Sequence, residues 1–568
     1  MEEPEPIPRS ELSGERASAR RFRRVAEGVV DALLESAPET ATQLGDHRFD
    51  DRLGDLSPDG VATRADLLQD ALQALDGVDD DGLTADDRVD REILRTSVAA
   101  ELWRLEELRE HEHDPLVHLP GNALYPLLAR ESGEPMARAL AVAARLAAVP
   151  HHLDVARAQL TSMPRVHVET AIDQARGTAE LLGADLDELL ERAPSARGPV
   201  DAVRGPAADA LEDFARWLES RLPESDADPR LGEQRFAAKL WYALDTETAP
   251  DVLLTRAESD LQAVEEEIAE LASGIEGAPP RAGQVREVLD RLAAQAPVTD
   301  ASILPLCREA LDQVTSRVRE LDLVGVPDDP VEIVVMPASR RGVSVAYCDP
   351  PGPLEPHGPD GVPLPSLFAV APTPPGWTPE RVASFYREYN GHMVRNLSIH
   401  EGVPGHVLQL AHAGRYRGGT RVRSAFWSGP FVEGWAVYAE ELVAAAGLGG
   451  PPEDDDGLRM QRLKMLLRST INAVLDVRVH ARGMTEAEAM RLMTERGHQE
   501  DGEAAGKWRR ALLTSAQLST YYVGYHEVRD VVGRLRDATP GATDRQLHDV
   551  VLAHGTPPPR HLRALLDV

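Results

Sequence analysis

"NLSIHEGVPGHVLQL", residues 396–410, pairs His400 with Glu401 and has a second histidine, His406, after a Pro-Gly step. In the H-E-x-x-H signature of zinc hydrolases, two histidines four positions apart share one helical face, and the glutamate acts as general base on metal-bound water. Here the histidines are six positions apart. At about 100° per residue, a regular helix would turn His406 about 240° away from His400. On such a helix the two could not bind one metal ion.

The Pro404-Gly405 step changes this expectation. Pro404 has no N–H to donate to the carbonyl of His400, and it disfavours helical geometry at Val403. Gly405 can adopt backbone angles that are closed to other residues. We therefore expect the helix to break or bulge here. A bulge that absorbs two residues would return His406 to the position of a ligand, whereas the alternative is a helix end with two histidines and no metal.

A third metal ligand is expected downstream, because catalytic zinc sites use three protein ligands and leave the fourth position to water. The segment FVEGWAVYAEEL, residues 431–442, predicts a helix with Glu433 and Glu440 on one face, seven positions apart. We predict that Glu433 is the ligand. Glu440 lies two turns further, about 10 Å along the axis, and is better placed to support a ligand or the structure. The predicted cofactor is Zn²⁺, bound by His400, His406 and Glu433.

A tyrosine-rich segment near the end of the chain, STYYVGYHEVRD, could supply a hydroxyl that stabilises an oxyanion. Tyr522 and Tyr525 are three positions apart and can share one helical face, with Gly524 between them permitting close approach. We predict that one of the two faces the metal, and the sequence does not distinguish them. The alternative for both is core packing with a hydrogen-bonded hydroxyl.

The composition excludes several classes of function. The chain has 568 residues and a formal net charge of −34, which argues against nucleic acid, because a phosphate-binding surface needs clustered Lys and Arg. Cys307 and Cys348 are the only cysteines, so His and carboxylates must hold any metal. The N-terminal charges are not followed by an apolar segment, and no apolar run reaches about 18 residues. These features predict a cytoplasmic protein without a membrane partner.

Hydrophobic periodicity predicts a mainly α fold with one small sheet. Residues 1–20 are acidic and contain prolines, which predicts disorder. From 21 to 330, apolar residues recur at helical spacing, as in MARALAVAARLAAVPHHL, and predict a helical lobe. β-branched runs between 331 and 372 predict a sheet of about three strands. Helices then resume, so residues 331–568 are predicted to form a catalytic lobe with the sheet beside the metal-binding helices.

Four motifs, in this order, carry a family resemblance: ATQLGDHRFDDRLGDL, LSIHEGVPGHVLQ, FVEGWAVYAEEL and YYVGYHEV. Over about residues 25–560 the chain resembles the bacterial family catalogued as domain of unknown function 885 (DUF885), a relative of helical gluzincin metallopeptidases such as the carboxypeptidase Taq and thimet oligopeptidase groups. The resemblance implies metal binding by His400, His406 and Glu433, with Glu401 as base. It also implies a two-lobed, metallopeptidase-like helical fold with a deep channel between the lobes.

We therefore expect a zinc-dependent hydrolase that cleaves a peptide or related amide bond, with a short peptide or small amide as substrate. Zinc would activate water, and Glu401 would act as general base. One alternative is a metal-dependent hydrolase of a specialised non-peptide amide or ester. The other is a non-catalytic helical scaffold or binding protein with a vestigial site. The sequence does not predict the cleavage position, the physiological metal or the oligomeric state.

Overall fold

The computed structural model describes residues 9–568 except 131, 337–344, 356, 359–360, 375 and 451, and it describes no side chains for 9–16 and 452–453. Helices make up 71% of the structure, and one sheet has three strands. The predicted mainly α fold with a small sheet is therefore confirmed. None of the helices in the described residues is long and apolar enough to cross a lipid bilayer.

The helices before the sheet pack through apolar residues that recur every three to four positions, as their sequences predict. They are α1 Arg9–Ser36, α2 Pro38–Leu44, α3 Pro58–Asp76, α4 Ala85–Trp103, α5 Gly121–Ala129, α6 Pro135–Gln159, α7 Arg165–Leu181, α8 Ala184–Arg192, α9 Arg197–Arg221, α10 Glu233–Leu244, α11 Pro250–Glu276, α12 Gln284–Gln295 and α13 Ile303–Glu320. α1 begins inside the segment 1–20, so the predicted disorder is wrong from Arg9 onward. The reason is burial, because Ala19 and Phe22 are 7% and 0% exposed and give the helix a packed face.

Three short strands follow: β1 Val331–Val335, β2 Ala346–Asp349 and β3 Ser366–Val370. β3 lies in the middle, parallel to β1 and antiparallel to β2. The sequence between the first two strands contains the turn-like segment ASRRG, residues 338–342, which lies outside the described residues. One edge of the sheet is therefore β2, the strand that contacts the candidate site described below.

Helices then continue to the end of the chain. They are α14 Pro379–Glu388, α15 Gly391–Glu401, α16 His406–Ala413, α17 Val422–Ala425, α18 Gly429–Ala446, α19 Pro452–Arg482, α20 Glu486–Arg491, α21 Asp501–Leu513, α22 Ser519–Ala538, α23 Asp544–Leu552 and α24 Pro559–Leu566. At the start of several of these helices, a side chain accepts hydrogen bonds from the first backbone N–H groups. Thr378 accepts from Arg381 N–H ahead of Pro379 at the start of α14, and Asn390 accepts from the first amides of α15.

The chain divides into two compact units, and the boundary differs from the predicted one at 330. Unit 1 is Met1–Asp228 with Pro351–Pro363 and Arg417–Phe426, and unit 2 is the remainder. The helices α10 to α13 therefore belong with the sheet and the candidate site. Their apolar faces enter one hydrophobic core that runs from Phe236 to Leu562. Periodicity shows that a helix is amphipathic, but it does not show which helices share its core.

The motif GDHRFDD, in unit 1, holds the segment that leads from β2 to β3. His47 Nδ1 lies 2.7 Å from Asp50 Oδ2, and its Nε2 lies 2.6 Å from Glu355 Oε2. The hydrogen bond with Asp50 and that with Glu355 outweigh burial and raise the pKa of His47 to about 9. Gly45, with φ of 87°, packs so closely that a Cβ would lie 2.8 Å from the Cβ of Glu355. This motif therefore anchors the part of that segment around Glu355.

Candidate metal centre

The two histidines of the opening motif lie on two separate helices. α15 ends at Glu401 and α16 begins at His406. In the step between them, the Gly405 N–H donates to the carbonyl of Ile399 over 3.0 Å. A Cβ on Gly405 would lie 2.0 Å from the carbonyl oxygen of His400, so this close return of the chain requires glycine. The helix is broken and restarted, and His406 opens the new helix.

Trp435 of α18 supports this step from a third helix. Its side chain is fully buried, and its Nε1–H donates to the carbonyl oxygen of Pro404 over 2.8 Å. Glu433 lies two positions earlier on the same helix. The hydrogen bond therefore ties the Pro-Gly step to the helix that carries the predicted third ligand.

The side chains of His400, His406 and Glu433 come together. Glu433 Oε2 lies 3.5 Å from His400 Nε2 and 3.4 Å from His406 Nε2. One ligand atom from each residue lies within 4.8 Å of the others, and the two imidazole planes are nearly perpendicular, at 88°. The three side chains are only 13%, 10% and 24% exposed. The structure thus unites three residues that the sequence spreads over three helices.

Two of the distances between these atoms match those of a zinc site. Glu433 Oε2 is buried, yet it forms no hydrogen bond within the described residues. Ligand atoms lie about 2.1 Å from zinc, so two ligands of a tetrahedral site are about 3.4 Å apart. The two distances from Glu433 Oε2 match this value. One carboxylate oxygen and two imidazole nitrogens are ligand atoms that zinc prefers in proteins.

Glu440 orients His400 from outside the cluster. Its Oε1 lies 2.7 Å from His400 Nδ1, and Asn396 Nδ2 donates to its Oε2 over 2.9 Å. Glu440 is only 2% exposed. A carboxylate at Nδ1 draws the ring proton to that side and leaves the lone pair of Nε2 for a metal. Nδ1 of His406, in contrast, has no hydrogen-bond partner among the described residues.

The charges of the cluster reinforce one another. Burial lowers the pKa of His400, but the carboxylates of Glu433 and Glu440 beside its two ring nitrogens raise it well above its ordinary value. Burial likewise opposes ionisation of Glu433, while His400 and His406 hold the pKa of this carboxyl far below its usual range. Glu433 is therefore ionised, and it presents a negative charge between the two imidazole rings.

Glu401, the predicted base, is held by the edge of the sheet. The Cys348 N–H of β2 donates to Glu401 Oε2 over 2.9 Å, and Glu401 is 8% exposed. Cys348 lies opposite Phe368 of β3 in the antiparallel register. Within the described residues, Glu401 Oε1 forms no hydrogen bond. One oxygen is thus fixed by the strand and the other is free to accept a proton.

Helices α18 and α22 touch through two glycines beside the cluster. A Cβ on Gly434 would lie 2.3 Å from the carbonyl group of Gly524, and a Cβ on Gly524 would lie 2.1 Å from the carbonyl oxygen of Pro430. Both contacts are with backbone atoms, which cannot move aside as the end of a side chain can. The close contact sets the position of Glu433, which precedes Gly434.

We expect Gly524→Ala to destabilise the protein through this contact. Overpacking of a core costs about 1–3 kcal/mol and occasionally more. The matched control is Gly533→Ala on the same helix, where an added Cβ would meet nothing within 4 Å; it should raise stability by up to about 1 kcal/mol. Thermal unfolding of the two variants measures the difference. Equal midpoints for the two would contradict the contact.

Neither predicted tyrosine directs its hydroxyl at the cluster. The Tyr522 hydroxyl donates to Asp260 Oδ2 over 2.5 Å, and the Tyr525 hydroxyl donates to Glu441 Oε2 over 2.6 Å. We expected one of them to face the metal, but both have carboxylate acceptors of their own. Helical spacing placed them on one face without showing what that face meets.

Tyr521 was not among the predicted site residues, yet it lies one turn of α22 before Gly524, which packs against the backbone of Gly434, the residue after Glu433. Burial and then the Glu433 carboxylate raise the pKa of Tyr521. Its hydroxyl oxygen accepts hydrogen bonds from Arg510 over 3.1 Å and from Gln517 over 3.4 Å. The sequence carries no signal for this choice, because only the structure shows that Gly524, three positions after Tyr521, faces α18.

Comparison with known proteins agrees with the motifs. The family described as "Bacterial protein of unknown function (DUF885)" matches residues 38–566. The chain belongs to this family. No curated protein matches this DUF885 chain.

Two solved structures share the fold of this DUF885 protein. One is described as a "putative lipoprotein of unknown function" from Shewanella oneidensis, with 23% identity, a TM-score of 0.80, and coverage of 96% of this chain and 100% of that chain. The other is described as a "putative lipoprotein" from Colwellia psychrerythraea, with 16% identity, a TM-score of 0.78, and coverage of 97% and 99%. At these identities the likeness establishes the fold alone.

Proposed function

We propose that this DUF885 protein is a zinc-dependent hydrolase that cleaves a peptide or related amide bond. One observation carries the proposal: Glu433 Oε2 is buried without a hydrogen bond among the described residues, 3.5 and 3.4 Å from the Nε2 atoms of His400 and His406. A buried carboxylate that forms no hydrogen bond needs positive charge close to it. A zinc ion between the three side chains would supply that charge.

A zinc ion held by these three residues would polarise a substrate carbonyl and lower the pKa of a water molecule to about 7. Glu401 would accept the proton of that water on Oε1, the oxygen that Cys348 N–H leaves free, and would pass it to the leaving amine. The Tyr521 hydroxyl would donate a hydrogen bond to the carbonyl oxygen, on which negative charge develops during the reaction. Arg510 and Gln517 hold this hydroxyl by its oxygen, so its hydrogen is available to the substrate.

We also propose a relationship to the gluzincin metallopeptidases, with a metallopeptidase-like fold. Its support is the arrangement of a His-Glu helix beside a small sheet, with the third ligand on a later helix. In a regular H-E-x-x-H motif both histidines lie on one helix, whereas here the chain leaves the helix between Gly402 and Gly405. The cytoplasmic location stays a prediction, and the two solved relatives are described as lipoproteins.

The first test is metal content. Purified without added metal or a metal-binding tag, the protein is expected to contain about one zinc per chain by elemental mass spectrometry. Chelation with 1,10-phenanthroline should abolish hydrolysis of short peptides, and added zinc should restore it. A panel of peptides, small amides and esters separates the peptidase from a specialised amide or ester hydrolase. A protein that takes up no zinc even when it is offered would instead be a scaffold with a vestigial site.

A further inference from the structure

Two cations on α21 lack acidic partners within the described residues. Arg510 is half-buried, and one terminal nitrogen of its guanidinium donates to Gln517 Oε1 over 2.8 Å and to the Tyr521 hydroxyl over 3.1 Å. Lys507, three positions earlier, is 8% exposed. In the part of the chain that the structure describes, no carboxylate oxygen lies within 4.0 Å of either side chain's nitrogens. Residues three apart on a helix lie on one face, so the two charges are neighbours.

Other buried basic side chains nearby do contact a carboxylate. Lys464 Nζ and Arg468 both contact the carboxylate of Glu388, over 2.9 and 3.1 Å. Burial, followed by the charges of Arg468 and Arg510, lowers the pKa of Lys507 to about 7, against the opposite effect of two carboxylates. An anion bound beside Arg510 would favour the charged form of Lys507. The region is therefore poised to accept an anion.

The pair lies beside the proposed reaction site. Arg510 contacts the Tyr521 hydroxyl, and Tyr521 lies one turn of α22 before Gly524, which packs against the backbone of Gly434, the residue after Glu433. Within the described residues, Nε and the second terminal nitrogen of Arg510 form no hydrogen bond. A guanidinium with free N–H groups matches the two oxygens of a carboxylate in a bidentate contact. An anionic group bound there would lie beside Tyr521, the residue proposed to face the substrate carbonyl.

We propose that Arg510, assisted by the charge of Lys507, binds the free C-terminal carboxylate of a short peptide, so that cleavage occurs close to that terminus. The inference rests on the proposed function for the bond that is cleaved, but carboxylate binding itself requires no turnover. Arg510 is then a residue that determines specificity, in addition to holding the Tyr521 hydroxyl.

The test measures binding without turnover in the zinc-loaded Glu401→Gln protein. The probes are N-acetyl tripeptides with a free carboxylate, the same peptides as C-terminal amides, and amides whose last residue is glutamate. By calorimetry, we expect the free acids to bind about 10- to 100-fold more tightly than the amides, the range of a charge-assisted hydrogen bond. Adding Arg510→Gln should remove this preference, and it should weaken binding of the free acids much more than binding of the amides. Arg510→Lys, which keeps the charge but not the fork, should give an intermediate preference.

The matched control is Arg534→Gln, which removes an exposed arginine of α22 that is paired with Asp530; it should change nothing. Equal binding of acids and amides, no binding of any free acid, or an equal loss for both in Arg510→Gln would overturn the proposal. Tight binding of only the glutamate-ended amides would assign the site to a side-chain carboxylate and overturn the C-terminal assignment. A protein without zinc or turnover that still prefers free acids would contradict the hydrolase proposal alone.

Discussion

Replacing Glu401 with glutamine is expected to lower the rate of hydrolysis about 100- to 10,000-fold, the usual contribution of a general base. The amide oxygen of the new side chain could still accept the hydrogen bond that the Cys348 N–H gives to Oε2, so the side chain should stay in place. It could not accept a proton from water. Because Glu401 is not one of the three proposed zinc ligands, zinc content should stay at about one per chain.

The measurement is the steady-state rate on the best peptide of the panel, with zinc determined on the same sample. Thermal unfolding checks that the variant is folded. Glu440→Gln is the matched comparison, because it alters a buried carboxylate that touches His400 through Nδ1. It should weaken zinc binding by about 10- to 100-fold and lower activity through metal loss. Full activity in Glu401→Gln would rule out Glu401 as the base.

Replacing His406 with alanine is expected to remove zinc from the protein. His406 is one of the three proposed ligands, and its Nε2 lies 3.4 Å from Glu433 Oε2. Loss of a ligand should reduce zinc affinity by more than the roughly 100-fold that an outer partner can cost. Elemental mass spectrometry after dialysis should then find well under one zinc per chain, and hydrolysis should fall with it.

His412→Ala is the matched control for this experiment. His412 lies on the same helix, α16, but its Nε2 is 2.7 Å from the carbonyl oxygen of Gly325 and it takes no part in the cluster. This variant should keep its zinc. If His406→Ala also kept a full complement of zinc, the Pro-Gly step would not serve to deliver a ligand, and the histidine pair would be a feature of helix packing.

Much of the fold followed from local patterns. Apolar residues at helical spacing predicted the helices, and β-branched runs predicted the small sheet, because both patterns report how a segment buries one face. The domain boundary did not follow. α11 and α13 look as amphipathic as the helices of unit 1, and only the packed structure shows that they share a core with α15 and α19.

The candidate site shows the same division. His400, Glu401, His406 and Glu433 could be selected from the sequence, because zinc chemistry restricts the residue types and a Pro-Gly pair signals a break in a helix. The tyrosine could not be selected from the sequence. Tyr521, Tyr522 and Tyr525 lie within about one turn of the same helix, and the role of each depends on which face of α22 packs against α18.

The sequence by itself determined that this chain is a mainly helical DUF885 protein with a His-Glu motif, because these properties are encoded in residue type, spacing and periodicity. Only the tertiary structure decided that Glu433 lies between the two histidines, that Cys348 holds one oxygen of Glu401, and that Arg510 is left without a carboxylate partner among the described residues. Those are contacts between helices and strands far apart in the chain. They depend on which faces pack together, which no single segment specifies.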